Sequence, residues 1–533
     1  MNGEIKEMVK EFLVTAAEMK EYDTNTIQRI NIPQLVLMER AAISVAMHVY
    51  QYLNSITGEG KVLAVAGGGN NGADAVACAR ILKEYGIEVD IVVLQDNDNT
   101  NEPLKLQKEI AIKYGIPVYY ELPDQEYEVI IDGIFGIGLN RNITGRNLDI
   151  INTLNRKRAY KVSIDIPSGI DATSGKILGT AFKADETITF GFIKRGLCIE
   201  RGREFSGTIY KEKIGINELS FFGTKPKMFT YYGNIDSSHK IDLGRDPKGN
   251  KGTFGKVLII AGRNDMGGAC ILSAKSALNS GCGMVSILTE SGNKNAILEI
   301  IPEAMIHSYE TIQDIKEKLQ DQMEWCDCIA MGPGMGKDDI AEYIVNEVLN
   351  QCKKPVILDA DALSILAVNT ELFHKLETLQ ENENTRKTLI FTPHLKEFSN
   401  LIHSEIEVIK KERLERCDEF TKKMHAVLVL KDFQTICYSQ GKPYYLNLSG
   451  NDVLAKAGSG DILTGLIASF VAQYSKKEQI KEEPKACKMD FAFYASCMAV
   501  YIHGIAGEMA SREWNHSYCL ASDIISQYYN IMQ

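Results

Sequence analysis

A glycine-rich turn that leads into an aspartate, within Ala455–Gly465 (AKAGSGDILTG), combines two groups that phosphoryl transfer requires. Gly458 and Gly460 allow the backbone to approach an anion closely, and the helix that follows offers unpaired N–H groups to phosphate oxygens. Asp461 stands in the first helical turn, where a carboxylate could take the proton of a hydroxyl group. An ordinary helix start with an Asp cap is the competing interpretation, and this motif alone does not separate the two.

Polar residues also follow several apolar runs in the N-terminal half. Residues 67–72 read GGGNNG and formally fit the dinucleotide-binding pattern GxGxxG. However, the two asparagines and the nearby Asp74 carry oxygens that suit a hard cation or sugar hydroxyls better than a pyrophosphate. Asp132, Asp165 and Ser168 stand at or just after apolar runs, where parallel strands would end at a ligand crevice. We therefore treat them as candidates for one site, although turn and cap roles would explain each singly.

The composition is that of a globular protein with an acidic surface. The chain has 533 residues, of which 45% are hydrophobic and 24% charged, and this length predicts roughly two to four domains. The net charge of −11 argues against a nucleic acid or an anionic membrane as a partner. It leaves room for an anionic small molecule, because a local site can be positive within an acidic protein.

The cysteines and the N-terminus indicate the compartment. Twelve cysteines are scattered without a CxxC pair, which is typical of reduced thiols rather than of disulfides or a zinc site. No apolar run reaches the roughly 18 residues that a membrane span needs. The first residues, MNGEIKEMVKEF, carry acids and lack the apolar segment of a signal peptide. We therefore expect a cytoplasmic protein.

Two series of short apolar runs, rich in β-branched residues, alternate with helical patterns. This alternation predicts parallel α/β sheets covered on both faces. A stretch of weak periodicity, Ser220–Lys251, separates the two series, and we place a domain junction near residue 220. The predicted helices include Ala73–Tyr85 and Glu102–Tyr114. The predicted strands are 61–67, 88–94, 128–136 and 161–167 in the first series, and 256–262, 284–289, 328–334, 355–361, 388–394 and 426–432 in the second.

Motifs of the N-terminal half resemble those of the NAD(P)H-hydrate epimerase family. They are GGGNNGADA, DGIFGIGL and SIDIPSGID, with LMERAA upstream, and the resemblance covers about residues 10–217. It implies a potassium ion held by Asn71, Asp132 and Ser168, with Asp165 as the acid/base. Where the family loop usually reads NNGGDG, Ala73 and Ala75 replace glycines. The resemblance also implies hydrate contacts from Asn70, Asn71, Gly72, Ala73, Asp74, Gly136, Ile137, Gly138, Leu139, Asn140, Arg141, Asn142 and Asp165.

An ordered set of motifs in about residues 230–530 resembles the ADP- or ATP-dependent NAD(P)H-hydrate dehydratases, a branch of the ribokinase-like superfamily. The set includes MGGA, GPGMG, LDADAL, TPHLKEF, KDFQT and AKAGSGD, in this order. The resemblance implies that Ala269, Gly334, His394 and Asp461 touch the hydrate, and that Mg²⁺ bridges the nucleotide phosphates. KDFQT departs from the usual Lys-Gly opening of its motif. The implied nucleotide contacts are Lys431, Asp432, Phe433, Gln434, Thr435, Asn451, Gly458, Ser459 and Gly460.

Together these observations predict an α/β chain of two domains. Residues 1–220 would form a Rossmann-like three-layer αβα epimerase domain, and residues 221–533 a ribokinase-like αβα dehydratase domain. The predicted function is repair of hydrated NADH and NADPH. The first domain would interconvert the R and S hydrates, and the second would dehydrate the S form with ADP, giving AMP and phosphate. The resemblance favours ADP over ATP, and we expect a homo-oligomer.

Three other functions stay open at this point. A kinase of a small alcohol, such as a vitamin, with an N-terminal nucleotide-binding regulatory domain would release a stable phosphorylated product instead of free phosphate. The N-terminal half could also be a module that only binds a nucleotide or a partner, although Asp165 argues for chemistry there. A dehydrogenase is least favoured, because neither Asp90 nor Asp96 clearly ends the second strand as the ribose ligand would.

Overall fold

The computed structural model describes residues 10–56, 60–95, 100–231, 247–480 and 488–532. The chain divides into two compact units, of which one runs from Glu11 to Met228 and the other contains the residues from Phe229 onward. Each unit has its own sheet and its own buried core. None of the helices within the described ranges is both long and apolar enough to cross a membrane.

The N-terminal unit has a seven-stranded sheet in the order β4-β3-β2-β5-β6-β7-β9, in which all neighbours are parallel. Its elements are β1 (Lys10–Val14), α1 (Ala16–Gln28), α2 (Gln34–Ile56), β2 (Lys61–Ala66), α3 (Asn70–Glu84), β3 (Glu88–Val93), α4 (Glu102–Lys113), β4 (Val118–Tyr119), β5 (Val129–Gly133), α5 (Gly145–Arg156), β6 (Tyr160–Ile164), β7 (Glu186–Phe190), β8 (Ile193–Lys194), α6 (Arg195–Cys198), α7 (Glu200–Phe205) and β9 (Thr208–Glu212).

The strand order of this sheet fixes where a ligand can bind. From β2 the chain moves outward to β3 and β4, and it then returns to β5 on the other side of β2. The loops after β2 and β5 therefore diverge and leave a crevice at the carboxyl ends of these strands. Both strands are mostly apolar and almost wholly buried, so they form part of the core beneath the crevice.

Strands β11 to β19 of the C-terminal unit lie side by side in the order β13-β12-β11-β14-β15-β16-β17-β18-β19. Neighbours are parallel up to β17, and the last two pairs are antiparallel. The elements are β10 (Met228–Tyr231), β11 (Lys256–Ile260), α8 (Gly267–Asn279), β12 (Met284–Glu290), α9 (Lys294–Ile300), β13 (Met305–Tyr309), α10 (Ile312–Trp325), β14 (Cys328–Met331), α11 (Asp339–Gln351), β15 (Val356–Leu358), α12 (Ala360–Val368), α13 (Thr370–Glu381), β16 (Leu389–Phe391), α14 (Leu395–Leu401), α15 (Ile406–Lys411), α16 (Arg413–Met424), β17 (Val427–Leu430), β18 (Ile436–Ser439), β19 (Tyr444–Leu446), α17 (Ser459–Ile480), α18 (Lys488–Trp514), α19 (Ala521–Ser526) and α20 (Tyr528–Ile531).

This sheet has its own switch point, between β11 and β14. Helix α17 packs across α8 there, and two serines of α8 tie the helices together. The Ser273 hydroxyl donates to the Asp461 carbonyl (3.0 Å), and the Ser276 hydroxyl donates to the Ile462 carbonyl (2.7 Å). The first turn of α17 is therefore held over the carboxyl ends of the central strands.

The predicted α/β class and all ten predicted strands are confirmed, with ends that differ by a few residues. The predicted helices are also present, as α3 and α4. The sequence analysis missed β7 and β9 at one edge of the first sheet and the antiparallel β18 and β19 of the second. These strands are short or carry polar residues, so their hydrophobic pattern is weak. Residues 232–246 of the predicted junction stretch Ser220–Lys251 lie outside the described residues.

Candidate active sites

The fully buried carboxylate of Asp132, at the end of β5, organises the site of the N-terminal unit. One of its oxygens accepts hydrogen bonds from the Ser168 hydroxyl (2.6 Å) and the Ile134 N–H (3.2 Å). The other accepts from the Ser168 N–H (2.8 Å) and the Ser163 hydroxyl (3.0 Å). Burial raises the pKa of Asp132, because these donors offset only part of the lost hydration. No lysine, arginine or histidine of the described residues forms an ion pair with it.

Asn71 and Ser168 meet beside Asp132, at the backbone of Phe135. The Asn71 side chain donates to the Phe135 carbonyl (3.1 Å), and the Ser168 hydroxyl accepts from the Phe135 N–H (2.8 Å). The three predicted potassium ligands thus converge on one loop, with one carboxylate among neutral amide, hydroxyl and carbonyl oxygens. A buried negative charge without a basic partner, ringed by hard oxygens, fits a monovalent cation.

Asp165 follows β6 and has its backbone in the left-handed region, with φ of 65°. Its N–H donates to the Ile188 carbonyl (2.8 Å). Its carboxylate oxygen Oδ1 accepts from the Phe190 N–H (3.1 Å) and the Thr189 hydroxyl (3.3 Å), and it forms an ion pair with Lys194. Strand β7 therefore holds both the backbone and the side chain of Asp165.

Lys194 is fully buried and has a closed set of acceptors. Besides its ion pair with Asp165, its ammonium donates to the Phe190 carbonyl (2.9 Å) and the Thr189 hydroxyl (3.1 Å). Burial lowers the pKa of Lys194, and the charge of Asp165 opposes that shift. The side chain of Asp165 is 14% exposed, so the buried Lys194 holds this carboxylate while part of the carboxylate stays accessible.

Two further carboxylates face Asp165. Asp74 lies near the start of α3, and burial together with the charges of Asp165 and Asp23 raises its pKa well above the usual value. Asp23 of α1 has its pKa raised by burial and by Asp165, while Lys194 opposes the shift. Three carboxylates thus share one lysine, and this arrangement favours a proton held on Asp74 next to Asp165.

The other predicted hydrate contacts border this crevice. Asn70 begins α3, and its side-chain oxygen accepts from the Asn101 amide (2.6 Å). Ala73 and Ala75 are fully buried in α3 without positive φ, so the helix accommodates the two methyl groups that replace glycines of the family pattern. Gly72 lies between Asn71 and Ala73 in the same turn. Directly after Phe135 comes the other predicted segment, which consists of Gly136, Ile137, Gly138, Leu139, Asn140, Arg141 and Asn142.

In the C-terminal unit, Asp359 follows β15 and forms the centre of a buried network. One of its carboxylate oxygens accepts from the Lys431 ammonium (2.7 Å) and the Thr392 hydroxyl (2.9 Å). The other accepts from the Thr464 hydroxyl of α17 (2.7 Å). Burial alone would lower the pKa of Lys431, but the carboxylates of Asp359, Glu397 and Asp461 outweigh it and raise that pKa. Lys431 therefore stays charged.

Asp461 lies in the first turn of α17, close to this network, and its side chain has no hydrogen-bond partner among the described residues. Burial and the charge of Asp359 raise the pKa of Asp461 to about 6; Lys431 opposes the shift, and Asp361 adds to it. A carboxylate with such a pKa can both accept and release a proton near neutral pH.

The remaining predicted hydrate contacts lie at the same edge of the sheet. A Cβ placed on Gly334 would lie 3.2 Å from the Ala269 Cβ, so the loop after β14 lies against the first turn of α8. His394 forms a β-bridge with Lys431 and caps α14, where its Nδ1 accepts from the Glu397 N–H (3.2 Å). Nδ1 is therefore unprotonated, and the half-exposed ring carries its proton on Nε2.

The predicted nucleotide contacts form two segments. The first, Lys431–Thr435, joins β17 to β18; Asp432 lies 3.5 Å from the Arg413 guanidinium, and Phe433 is 76% exposed. Gln434 is buried, and its carbonyl accepts from Arg413 (2.6 Å). The Thr435 hydroxyl lies 3.4 Å from the Asp432 carbonyl.

The second segment leads into α17. The Asn451 side chain accepts from the Val453 N–H (3.2 Å) and donates to the Ser511 hydroxyl of α18 (2.9 Å). Gly458 has a φ of 93°, which turns the chain into the helix, and a Cβ on Gly460 would lie 3.5 Å from the Lys431 ammonium. The predicted anion-binding turn and the charged end of Lys431 are thus adjacent.

His503 of α18 contacts the same turn. Its Nε2 lies 3.0 Å from the Ser459 hydroxyl. Burial lowers the pKa of His503 to about 4, and the charge of Lys431 adds to that shift. The ring is therefore neutral at physiological pH. Among the described residues, no group of three or more histidine, cysteine, aspartate or glutamate side chains is arranged to hold a metal ion by itself.

Comparison with known proteins gives matches along most of the chain. The family model described as NAD(P)H-hydrate dehydratase matches residues 257–530, and the model described as YjeF-related protein N-terminus matches residues 34–196. A bifunctional NAD(P)H-hydrate repair enzyme of Dictyoglomus turgidum is 33% identical over 87% of this chain and 90% of its own length. The chain belongs to the family of bifunctional NAD(P)H-hydrate repair enzymes.

Other members of this repair-enzyme family match over a similar length. A bifunctional NAD(P)H-hydrate repair enzyme of Moorella thermoacetica is 28% identical over 96% of this chain and 95% of its own length. Among solved structures, an ADP/ATP-dependent NAD(P)H-hydrate dehydratase of Bacillus subtilis, co-crystallized with ATP/Mg²⁺, is 28% identical. It covers 54% of this chain and 94% of its own, with a TM-score of 0.40. The resemblance predicted from the motifs and the enzyme class are confirmed.

Among the residues of this repair enzyme's candidate sites that sequence analysis missed are Asp23, Lys194 and His503. Each belongs to an element without a Gly-rich or strand-end motif, so no local pattern marked it. The signal available for Lys194 was a lysine directly after an apolar strand, in FGFIKRG. For Asp23 and His503, a single polar residue on a helix is a weak signal, because most such residues face solvent.

Proposed function

We propose that the domain of residues 1–220 epimerises the R and S hydrates of NADH and NADPH, and that the domain of residues 221–533 dehydrates the S form with ADP. One observation carries the second part of the proposal. Asp461, with its pKa raised to about 6, stands beside Lys431 at a turn suited to phosphate. A base and an anion-binding turn at one point are the two groups that phosphorylation of a hydroxyl needs.

The dehydration follows from leaving-group chemistry. Hydroxide is a poor leaving group at neutral pH, whereas a phosphate ester leaves readily. Asp461 takes the proton of the hydrate hydroxyl while the oxygen of that hydroxyl attacks the β-phosphorus of ADP. The bond between the β-phosphorus and the oxygen that bridges it to AMP breaks, and AMP leaves. The lone pair of the ring nitrogen then expels phosphate from the neighbouring carbon, and loss of a ring proton restores the dihydropyridine.

The chain's own residues stabilise the charge that develops. The N–H groups of the Gly458–Asp461 turn and the Lys431 ammonium would face the phosphate oxygens, and each such donor typically contributes about 10²–10³-fold in rate. Mg²⁺ would be held mainly by the nucleotide phosphates and would neutralise their charge when bound, consistent with the lack of a three-residue metal cluster in the described ranges. Lys431, Asn451 and the intervening predicted residues would hold the nucleotide.

In the N-terminal domain, Asp165 would move the proton. Inversion of the carbinol carbon requires the C–O bond or the ring to open and close again, with electrons supplied by the ring nitrogen. The protein then has to transfer protons and to hold the ring. Lys194 fixes the Asp165 carboxylate, and Asp74, whose pKa is well raised, offers a nearby proton.

Potassium would bind at Asn71, Asp132 and Ser168, with the Phe135 carbonyl. The buried Asp132 carboxylate supports this assignment, because its charge has no basic partner among the described residues. One carboxylate with several neutral oxygens balances a single positive charge. The ion would neutralise Asp132 and stiffen the loop that borders the substrate crevice.

We further propose a homo-oligomer in a reducing, cytoplasmic compartment. Leu35, Val36, Ile43 and Met47 of α2 are exposed apolar residues, and such a group on one helix supports self-association. The eleven cysteines in the described ranges are buried and form no disulfide with one another, which is consistent with a compartment that keeps thiols reduced.

The decisive experiment supplies each purified hydrate epimer with ADP or ATP and follows the absorbance of the reduced ring together with phosphate. We expect the S form to regain the absorbance with equimolar phosphate, and the R form to follow by way of epimerisation. A stable phosphorylated product without free phosphate would instead identify a small-molecule kinase.

A further inference from the structure

We propose that His503 is a positioning residue that orients the Ser459 hydroxyl. In this arrangement the His503 Nε2–H donates to the Ser459 oxygen, and the serine proton is left for a phosphate oxygen of the bound nucleotide. The inference rests on the proposed dehydration, because it assigns a donor within the same phosphate-binding turn. His503 does not touch the nucleotide; it acts through Ser459.

The geometry isolates this pair from water. His503 and Ser459 are each only 5% exposed, and the Nε2 to Oγ distance is 3.0 Å. Neither the Ser459 hydroxyl nor the other ring nitrogen of His503 has a further hydrogen-bond partner among the described residues. One of the two groups must therefore donate to the other, and the direction decides what Ser459 can offer a ligand.

The unpartnered Nδ1 of His503 settles that direction. If Nδ1 carried the ring proton, a buried N–H would have no acceptor, and orphaned buried N–H groups are rarer than unsatisfied acceptors. The ring proton is better placed on Nε2, where the Ser459 oxygen accepts it. The positive charge of Lys431 near the ring also disfavours a second proton. Ser459 then accepts from His503 and has its own proton free to donate.

Helix α18 also holds the loop that precedes Ser459, through contacts at several points along the helix. The Glu508 carboxylate accepts from the Gly450 N–H (2.7 Å), and the Tyr501 carbonyl accepts from the Ser449 hydroxyl (3.0 Å). A Cβ on Gly504 would lie 2.1 Å from the Ser449 oxygen, so only glycine permits this approach. His503 thus occupies a turn of α18 that is held close to the loop by contacts before and after it, and this keeps its ring within reach of Ser459.

The test compares Ser459→Ala, His503→Leu, the double variant and His503→Gln in the full-length chain. If His503 acts only through Ser459, the double variant is no slower than Ser459→Ala, whereas independent residues would multiply their losses. We expect Ser459→Ala to lower kcat of dehydration by about 10²-fold, as loss of one oxyanion donor does. His503→Leu should lose roughly 10-fold or more, and His503→Gln, which keeps an N–H donor, should recover most of it.

Affinity for ADP, measured by calorimetry, provides a second readout that does not need turnover. Ser459→Ala and the double variant should weaken ADP binding equally. His374→Leu, which changes an exposed histidine of the same unit, is the matched control and should bind and turn over as the parent chain does. If His503→Leu fails to fold, Ser459→Ala and His503→Gln still test the pair through these two readouts.

The outcomes separate this inference from the proposed function. Three results would overturn the positioning role while ADP-dependent dehydration stands. The double variant could lose rate by the product of the two single losses, Ser459→Ala could keep the parent rate, or His503→Gln could be as slow as His503→Leu. Absence of dehydration in the parent chain would overturn the proposed function. In that case, equal and non-additive losses of ADP affinity would still support the hydrogen bond between the two residues.

Discussion

The two units place a lysine differently with respect to the carboxylate that we assign to chemistry. In the N-terminal unit, Lys194 forms an ion pair with Asp165 itself. In the C-terminal unit, Lys431 forms its ion pair with the neighbouring Asp359, and Asp461 is left without a side-chain partner among the described residues. The same residue types in similar α/β crevices therefore produce a carboxylate held by an ion pair in one site and a carboxylate without an ion pair in the other.

This difference shows that the position of the lysine decides what the carboxylate can do. An ion pair fixes the orientation of Asp165, and the neighbouring Asp74 is the group whose pKa rises strongly. Burial raises the pKa of Asp461 to about 6, together with the charge of Asp359, which Lys431 offsets only in part. The first arrangement suits a proton shuttle between two carboxylates, and the second suits a single base that is poised to accept a proton.

The largest expected effect comes from Asp461→Asn. The change keeps the size of the side chain but removes its basicity, so ADP-dependent dehydration should fall by about 10²–10⁴-fold with ADP binding nearly retained. Phosphate release and ring absorbance measure this loss. Glu407→Gln, at an exposed acid of the same unit, is the matched control. Activity within a few-fold of the parent chain would reduce Asp461 to a helix cap.

The same variant should stabilise the C-terminal unit. Folding raises the pKa of Asp461, so its ionised form lowers stability above about pH 6, and this penalty vanishes as the pH falls toward about 4. Asp461→Asn should therefore increase the free energy of unfolding by about 1–3 kcal/mol at pH 7.5, and by almost nothing near pH 4. Denaturant titrations at the two pH values test the sign.

Asp165→Asn should affect the other reaction. Asparagine tolerates the left-handed backbone of residue 165 and keeps hydrogen-bonding atoms, but it cannot carry a proton. We expect epimerisation to fall by about 10²–10⁴-fold, while dehydration of the S hydrate is unchanged. Consumption of the R hydrate in excess ADP is the measurement. Loss of both reactions would contradict the separate roles that we assign to the two carboxylates.

The pH profile of dehydration should reflect the ionisation of Asp461, the carboxylate without an ion pair. Because Asp461 must be ionised to accept the hydroxyl proton, kcat/KM should be nearly constant above its pKa of about 6 and fall about tenfold per pH unit below it. Initial rates between pH 5 and 8, in buffers of constant ionic strength, measure the profile. A rate that is flat down to pH 5 would show that Asp461 is not the base.

The smallest expected effect is that of the monovalent cation on the N-terminal unit. Replacing potassium with tetramethylammonium should slow epimerisation several-fold and lower the Tm of that unit. A bound ion at 100 times its Kd adds about 2.7 kcal/mol to the free energy of unfolding. Asp132→Asn, which removes the uncompensated buried charge, should abolish this response to potassium. Equal rates and melting temperatures in both salts would reject the cation and leave Asn71 and Ser168 as turn residues.

Sequence reasoning succeeded where a strand ends in a motif. Asn71, Asp132 and Ser168 were predicted from three separate motifs, and the parallel sheet brings them to the single backbone of Phe135. Alternating strands and helices imply such an edge, so its loops could be predicted to meet.

The ion-pair partners could not be predicted in this way. Lys194 and Asp359 each meet their partner across different strands, and the sequence contains nothing that pairs Lys431 with Asp359 rather than with Asp461. Which carboxylate is paired depends on side-chain positions within a few ångströms, and those positions follow from packing rather than from periodicity. The site residues from sequence stay predictions until the variants above are measured.

The contacts of the Ser449–Asp461 segment with α18 affect when, during synthesis, this segment can take its final structure. Ser449, Gly450, Asn451 and Ser459 all bond to residues between Tyr501 and Ser511, which the ribosome adds about 50 residues later. A nascent chain can therefore complete the crevice of its first sheet long before the Ser449–Ser459 segment gains its hydrogen bonds to α18. Until α18 is made, α8 can hold the first turn of α17, but the loop that precedes this turn lacks the helix to which it bonds.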